Sequence, residues 1–205
     1  NARIRRIDPQ GLVSTIAGTG IQGFSGDGGP AVEATFNVGV YDNGGLTVDS
    51  RGNLYLADTG NSRIRKIDTT TGIITTFALD AGAVYAVAVD SGDNVYVAFN
   101  NGRAEPRIRK FSPAGQLLQS WGAGIGFTED GRPAESAAVG LVWRIAVEPS
   151  GDVLFADAGR IRRIDLETGL LKTELGMAPQ IIGETGPALA TVLNNPGTDL
   201  LFLPT

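Results

Sequence analysis

The residues of this sequence best suited to chemistry are arginines that recur in one short motif. The motif occurs as RIRRID at 3–8, RIRKID at 63–68, RIRKFS at 107–112 and RIRRID at 160–165. It defines two sets of equivalent arginines, namely Arg3, Arg63, Arg107 and Arg160, and then Arg5, Arg65, Arg109 and Arg162. One interpretation is that these arginines together present a face that binds anions.

Aspartates accompany the arginines, which favours a different interpretation. They recur in the same units as Asp58, Asp68, Asp157 and Asp165. A guanidinium group forms two parallel hydrogen bonds with a carboxylate, and this geometry suits fixed ion pairs between packed elements. The sequence therefore predicts that these arginines pair with carboxylates of the same chain.

A glycine-rich segment could hold a ligand or a cation through its backbone and its aspartate. It reads SGDGGPA at 25–31 and is partly repeated as EDGRPAESA at 129–137 and as ETGPALA at 184–190. Glycine and proline are also typical of tight turns, and Pro30 suits the first position of a helical turn. Since the lysine of a phosphate-binding loop is missing, a turn between neighbouring repeats is the favoured interpretation.

Aspartates from different repeats could also converge and bind Ca²⁺ through their oxygen atoms. The candidates are Asp27, Asp49, Asp58, Asp90, Asp130 and Asp157. Asp49, Asp90 and Glu148, however, stand where a side chain in a turn bonds to its own backbone. We therefore expect no cofactor and assign no metal ligands, with Ca²⁺ kept as the alternative.

Aromatic residues lie in or beside two long connecting segments, 17–45 and 121–142. They are Phe24, Tyr41, Trp121, Phe127 and Trp143. Aromatic side chains on loops offer a large contact area at a small loss of entropy, and they are natural partner-binding residues. The alternative is that they cover the ends of strands, which we expect for Trp143. The predicted partner-binding set is Phe24, Asp27, Tyr41, Trp121, Phe127 and Asp130.

The composition excludes several classes of function. The 205 residues include no histidine and no cysteine, so a Ser-His-Asp triad, a histidine-ligated metal, a cysteine nucleophile and disulfides are all excluded. The net charge of −5 and the pI of about 4.8 disfavour a nucleic-acid partner. No apolar run approaches the roughly 18 residues of a membrane span, so we expect none.

A second repeated motif precedes three of the arginine motifs and defines the elements that position them. It reads LTVDSRGNLYLAD at 46–58, VAVDSGDNVYVAF at 87–99 and IAVEPSGDVLFAD at 145–157, with a weaker copy, TVLNNPGTDLLFL, at 191–203. Each repeat predicts four short strands, which in the second are 46–48, 53–57, 63–67 and 73–77. The continuous apolar runs LYLA, VYVA and VLFA predict small sheets covered on both faces, as in a β-propeller.

The segment from Gly52 to Asp68, GNLYLADTGNSRIRKID, resembles an NHL repeat. The segment STIAGTG at 14–20, followed by FSGDGGPA at 24–31, is similar to the connector of extracellular bacterial members of that family. The resemblance implies a β-propeller. It also implies a location that is extracellular, periplasmic or at the cell surface.

The predicted domain is a single all-β propeller over 1–205 with four-stranded antiparallel blades. We place blades at 44–78, 84–121 and 142–175, and half-blades at 1–20 and 189–205. The half-blades complement each other, so pairing of 199–203 with 3–7 would close a ring of four blades and leave no free edge. The alternative is a fragment of a six-bladed ring, the usual size of similar domains.

The function that we expect is a non-catalytic binding or scaffold module whose connecting loops hold a protein, peptide or glycan. Two alternatives remain at this point. One is a hydrolase or lyase with a divalent metal held by carboxylates, and the other is a structural subunit of a larger chain or assembly. The resemblance to NHL repeats implies binding only by analogy, because that family shares no catalytic residue.

Overall fold

The computed structural model describes residues 2–38, 45–79, 82–100 and 107–176. The chain divides into two compact units, residues 1–84 and 85–205, and each unit is described by itself below. In the described part the protein is all-β, and its only helices are three 3-10 turns of three residues each. None of these helices is long and apolar enough to cross a membrane.

Unit 1 contains an antiparallel pair of strands and a four-stranded antiparallel sheet. The pair is formed by β1 (Ala2–Ile7) and β2 (Val13–Gly20). The sheet has the order β3-β4-β5-β6, with β3 (Leu46–Val48), β4 (Leu54–Asp58), β5 (Arg63–Asp68) and β6 (Ile73–Leu79). Two 3-10 turns, Ala31–Glu33 and Thr59–Asn61, lie in the connections.

Unit 2 contains two four-stranded antiparallel sheets and a short parallel pair. The first sheet is β7 (Ala83–Val89), of which Ala83 and Val84 still belong to unit 1, β8 (Val95–Asn100), β9 (Arg107–Phe111) and β10 (Leu117–Trp121). The parallel pair is β11 (Gly124–Ile125) and β12 (Ala138–Val139), with a 3-10 turn at Ala134–Ser136 between them. The last sheet is β13 (Ile145–Val147), β14 (Val153–Asp157), β15 (Arg160–Ile164) and β16 (Leu171–Leu175).

The second strand of each four-stranded sheet is buried along its whole length. All five residues of β4, all six of β8 and all five of β14 are buried. Successive side chains of a strand point to opposite faces, so burial at consecutive positions means that both faces are covered. The continuous apolar runs of the sequence predict this burial, and the structure confirms it.

Aspartate side chains make the tight turns that join the first two strands of a sheet. The Asp49 carboxylate accepts backbone N–H groups of Arg51 and Asn53 at 3.0 and 2.8 Å, and Asp90 does the same for Gly92 and Asn94. The left-handed conformation that the first of these turns requires is taken by Gly52, at φ 83°. These two aspartates therefore act as turn residues, which was one of the two interpretations of the sequence.

Four-stranded antiparallel sheets are confirmed. In the second repeat β3 has the predicted limits, and those of β4, β5 and β6 differ from the prediction by one or two residues. The helical turn expected at Pro30 is present as the 3-10 turn Ala31–Glu33. The predicted half-blade 189–205 lies outside the described residues, as does the third glycine-rich segment at 184–190. Ring closure and the number of blades therefore stay predictions.

Candidate binding site in the connecting loops

Two connecting segments, one in each unit, share the same backbone arrangement. The first connector, residues 24–34, lies beside the β5–β6 hairpin, and the second, residues 127–137, lies beside the β15–β16 hairpin. The N–H of Ala31 donates to the carbonyl of Gly72 at 2.8 Å, and the N–H of Ala134 donates to that of Gly169 at 2.9 Å. These matched bonds hold the side chains of both connectors against the arginine motif.

The first connector site consists of Phe24, Asp27, Asp58, Arg63 and Arg65, and a buried guanidinium lies at its centre. The Arg65 side chain has no solvent exposure, and its Nη2 lies 2.8 Å from Oδ1 of Asp27 in the connector. Its Nη1 lies 3.6 Å from Oδ2 of Asp58, at the end of β4. Arg65 also donates to the carbonyls of Ser25 and Thr35, at 3.0 and 3.3 Å. A single arginine thus binds the connector to the sheet.

The second connector site repeats these contacts with Phe127, Asp130, Asp157, Arg160 and Arg162. The guanidinium of Arg162, which is also fully buried, lies 3.2 Å from Asp130 and 3.5 Å from Asp157. Its Nη2 donates to the carbonyl of Thr128 at 2.8 Å. The expected ion pairs within the chain are therefore present at Arg65 in unit 1 and at Arg162 in unit 2, each the second arginine of its motif.

The connector aspartates also bind the last strand of the neighbouring sheet. Oδ2 of Asp27 accepts the hydroxyl of Thr76 in β6 at 2.5 Å. Asp130 accepts the backbone N–H and the hydroxyl of Thr173 in β16, at 3.0 and 2.8 Å. Since each carboxylate contacts both an arginine and a threonine, the geometry of each connector is set by several independent bonds.

Burial shifts the pKa values of the aspartates at the strand ends. Burial raises the pKa of Asp58 above its ordinary value, although the backbone N–H of Asn37, the Asn61 amide and Arg65 oppose the change. Burial likewise raises the pKa of Asp157, against the Gly140 N–H and the charges of Arg162 and Arg160. Both sites therefore keep a carboxylate in surroundings that disfavour its charge, and the arginine is the compensating partner.

Each site presents an exposed phenylalanine above the first arginine of the motif. The side chains of Phe24 and Phe127 are 46% and 50% exposed. The guanidinium carbon of Arg63 lies 3.6 Å from the ring centroid of Phe24, and that of Arg160 lies 4.0 Å from the ring centroid of Phe127. A cation over an aromatic face is attractive, so each ring is held in a fixed orientation while half of it stays open to solvent.

The two sites differ in the turn that leads to the first arginine. In unit 1, Asn61 donates to Asp58 at 2.7 Å and to the carbonyl of Gly23 at 2.9 Å. Arg63 then donates to the carbonyl of Asn61 at 2.9 Å and to the hydroxyl of Thr76 at 3.5 Å. The guanidinium of Arg63 therefore has protein acceptors.

In unit 2 the corresponding turn has only two residues, Ala158 and Gly159, both in the left-handed region. The position equivalent to Asn61 is missing from this shorter turn. Arg160 is 6% exposed, and its guanidinium makes no hydrogen bond to another described residue. The sequence shows the shortened turn, but a comparison of the two repeats by structure is needed to see its effect on the arginine.

The remaining residues of the predicted partner-binding set are placed differently. Trp121 is 1% exposed at the end of β10, and its ring stacks on Tyr96 with centroids 6.2 Å apart. It therefore packs in the core of unit 2 and not on an exposed loop. Trp143, which we expected in the core, is 38% exposed and contacts the edge of Tyr85. Tyr41 lies outside the described residues.

Two further aspartates that we expected to pair with arginines form other bonds. Asp68 accepts the backbone N–H groups of Thr70 and Thr71, and Asp165 accepts the N–H of Thr168 and the ammonium of Lys172. The arginines pair instead with the connector aspartates. In the described part of the chain, no three acidic residues are grouped closely enough to hold a metal ion.

Comparison with known proteins supports the repeat and the fold. The sequence pattern of the NHL repeat matches residues 44–67, which confirms the resemblance over that segment. No curated protein sequence matches the chain.

Similar solved structures are propeller-type proteins. One is a protein of unknown function from Bacteroides thetaiotaomicron, with a TM-score of 0.60 and 19% identity over 76% of this chain and 40% of that one. Another is virginiamycin B lyase from Staphylococcus aureus, with a TM-score of 0.50 and 15% identity over 87% of this chain and 50% of the lyase. A catalytically inactive form of that lyase with quinupristin gives a TM-score of 0.52 at 17% identity, over 87% of this chain and 50% of that one. This chain thus spans half or less of the length of these structures, and at such identities the similarity shows the fold alone.

Proposed function

We propose that this protein is a non-catalytic binding module in which each connector can bind a protein or peptide partner. The observation that carries the proposal is the pair of equivalent phenylalanines, each half exposed and each held above an arginine. A ring fixed in this way loses little entropy when a partner covers it, and its exposed area then adds favourable burial. Aromatic and arginine side chains are also the residues enriched among those that dominate binding energy.

The charged groups of the two sites support specificity in this role. Asp27 is 36% exposed and Asp130 is 50% exposed, so each connector presents a carboxylate beside its aromatic ring. Both carboxylates are already oriented by an arginine and a threonine. A partner therefore meets a rigid pattern of apolar and acidic groups, which favours one geometry over others.

The proposal is tested with a phage-displayed peptide library and a glycan array. The wild-type chain and a Phe24→Ser/Phe127→Ser variant are compared, and Leu12→Ser serves as the control, because Leu12 is an exposed apolar residue outside both connectors. We expect peptide ligands that bind the double variant at least about tenfold more weakly and the control equally well. Ligands that bind all three proteins alike would contradict the proposal. Binding of glycans and not of peptides would show that the partner is a glycan.

The same measurement separates binding from metal-dependent chemistry. Arginine and phenylalanine need no metal, so the affinity of the selected peptides should not change when a chelator is added. Loss of binding or of any hydrolase or lyase activity on chelation would favour the alternative of a divalent ion held by carboxylates. A location outside the cytoplasm, at the cell surface or in the periplasm, is part of the proposal and rests on the resemblance of the first connector to those of extracellular bacterial proteins.

A further inference from the structure

Arg160 in the second connector site is a buried cation that forms no hydrogen bond with the part of the chain that the structure describes. Its side chain is 6% exposed, and its Nε is fully buried with no acceptor in reach. A guanidinium group has five N–H donors, and buried donors are almost always satisfied in native proteins. Its charged end lies 4.0 Å from the ring centroid of Phe127 and acts on Asp157 through its charge, with no hydrogen bond to that carboxylate. The Nε atoms of Arg65 and Arg162 also lack an acceptor, but the Nη groups of these two arginines bond to the protein. Arg160 differs because none of its donors bonds to a described residue.

The equivalent residue in unit 1 provides the reference. Arg63 stacks on Phe24 in the same way, at 3.6 Å, but it donates to Asn61 and Thr76. Asn61 belongs to the longer turn of unit 1, and the two-residue turn of unit 2 has no counterpart. The chain therefore contains the stacked arginine–phenylalanine pair twice. The guanidinium of Arg63 bonds to the protein, whereas that of Arg160 forms no hydrogen bond with a described residue.

The two carboxylates of the second connector site are already bonded to other donors. Oδ1 of Asp157 accepts the N–H of Gly140 at 2.8 Å, and its Oδ2 lies 3.5 Å from Arg162. Asp130 accepts from Arg162 and from both donors of Thr173. Among the described residues no acceptor bonds to Arg160, and its donors are therefore open to the acceptor of a ligand.

The charge of the site indicates which acceptor fits. Two arginines and two aspartates balance within the second connector site, so a group with a single negative charge disturbs it less than a doubly charged phosphate. A planar carboxylate also matches the fork of a guanidinium group with two parallel hydrogen bonds. The half-exposed ring of Phe127 offers an apolar surface next to that fork.

We propose that Arg160 and Phe127 form a binding position for a carboxylate that carries an apolar group. Arg160 donates to the two carboxylate oxygens, and the Phe127 ring covers the attached carbon atoms. This inference deepens the proposed function and rests on it, since the carboxylate would come from an acidic side chain or from the C-terminus of the peptide partner. A free organic acid carries the same chemistry, and the experiment separates the two sources.

The experiment follows the Nε–H signals of the arginines by NMR while propionate is added to the full chain at constant ionic strength. We expect a saturable shift of the Arg160 signal with propionate, a weaker one with inorganic phosphate and none with propionamide, which has the same shape but no charge. Equal responses to propionate and propionamide, a stronger response to phosphate, or no response at all would overturn the proposal.

Two substitutions provide the matched comparison. Arg160→Lys keeps the charge but loses the fork, so propionate should bind at least about tenfold more weakly. Arg51→Gln changes an exposed arginine that lies outside both connector sites and should leave the affinity for propionate unchanged. A loss of affinity in the Arg51→Gln variant alone would contradict the assignment. If thermal unfolding shows that Arg160→Lys does not fold, Phe127→Leu replaces it, and weaker propionate binding with the NMR signal of Arg160 intact is then the expected result.

The source of the carboxylate is identified with two peptides of equal composition. One carries an internal glutamate with a blocked C-terminus, and the other carries a glutamine with a free C-terminal carboxylate. Binding of either one more tightly than propionate identifies a peptide source, and equal affinity of all three favours a free organic acid. The two proposals can also fail separately. If the wild-type chain binds propionate as expected, but the Phe24→Ser/Phe127→Ser variant binds the selected peptides as tightly as wild type does, the carboxylate position stands and the proposed function fails.

Discussion

The buried arginines Arg65 and Arg162 show how one side chain can hold two elements together. Each lies between an aspartate of a connector and an aspartate at the end of a strand, at distances from 2.8 to 3.6 Å. Removing two charges from water is unfavourable, and their attraction offsets this only when additional hydrogen bonds are made. The carbonyls of Ser25 and Thr128 supply such bonds. The arrangement therefore specifies connector geometry more than it adds stability.

Replacing the buried cation of the first connector site should destabilise the protein strongly. Arg65→Met leaves Asp58 buried without its cation, and we expect a loss of about 3–5 kcal/mol in the free energy of unfolding, measured with urea. The Arg65→Met/Asp58→Leu double variant should be more stable than the single variant, because it removes both charges. Lys66→Met, at the next position of β5, is the control and should change stability by less than about 1 kcal/mol. A single variant as stable as the control would refute the argument.

Asp58 and Asp165 should make the free energy of unfolding change with pH in opposite directions, because their pKa values are shifted in opposite directions. Burial raises the pKa of Asp58 above 3.8, so its contribution to stability is greatest below pH 3.8 and is lost as the pH rises through the folded-state value. A hydrogen bond from Lys172 lowers the pKa of Asp165, so its contribution is present above pH 3.8 and is lost as the pH falls.

The test compares wild type with Asp58→Asn and with Asp165→Asn between roughly pH 3 and pH 6, by urea unfolding. The free energy of unfolding of wild type minus that of Asp58→Asn should fall as the pH rises. The corresponding difference for Asp165→Asn should increase over the same range. Two slopes of the same sign would show that burial does not dominate the titration of Asp58.

At the scale of elements, the first connector depends on a close approach between two parts of its own backbone. Gly26 has φ 86°, and a Cβ atom there would lie 2.8 Å from both Cα and Cβ of Ala34. Gly28 has a similar φ of 79°, but a Cβ atom there would meet nothing within 4 Å. A substitution at either glycine introduces the backbone strain of a left-handed residue, but only a substitution at Gly26 also introduces a steric clash with Ala34.

Gly26→Ala should therefore destabilise the chain more than Gly28→Ala. We expect about 1 kcal/mol for Gly28→Ala from backbone strain, and at least about 1 kcal/mol more for Gly26→Ala, since the connector must move away from Ala34. Chemical unfolding measures both changes. Peptide binding should also weaken in the Gly26→Ala variant, because Phe24 and Asp27 flank this position. Equal effects of the two substitutions would indicate that the connector can adjust freely.

Strands were more predictable from the sequence than connector contacts, and the reason is the range of the interactions. The limits of β3 to β6 follow from local patterns of apolar and turn residues. The pairing of Arg65 with Asp27 joins residues that are distant in sequence, and no local pattern distinguishes Asp27 from Asp68 as the partner. Trp121 shows the same limitation, because a tryptophan at the end of a strand can face the core or the adjoining loop.

At the scale of the whole molecule, each of the two units contains a connector site, and the two sites are built in the same way. The connectors and their buried arginines match closely, while the turns before Arg63 and Arg160 differ in length. A repeat protein can change one copy of a site without disturbing the others, because each repeat is stabilised mainly by local contacts. In this way two similar sheets differ in one property, since Arg63 bonds to the protein while Arg160 forms no hydrogen bond with the described residues.

Ring closure is the whole-molecule prediction that remains to be tested, and unit 1 gives a reason to expect it. Leu46 and Val48 of β3 and Ile7 of β1 are exposed, so apolar side chains on these strands are open to solvent in the described part of the chain. In the same part of the chain, β1 pairs with β2 alone. The second edge of β1 therefore has unpaired backbone groups among the described residues. An edge of this kind is usually covered in soluble proteins, and the predicted partner is the apolar segment 199–203.

Removal of residues 177–205 should therefore expose β1. Hydrogen exchange of the peptide 2–7 should become at least about tenfold faster in the shortened chain than in the full one, because β1 loses the predicted pairing on its second edge. Exchange in β4 and β5 serves as the control, since these strands lie inside their sheet and their hydrogen bonds do not involve the removed segment. Unchanged exchange at 2–7 would favour the alternative of a fragment of a larger ring, in which another strand must pair with β1.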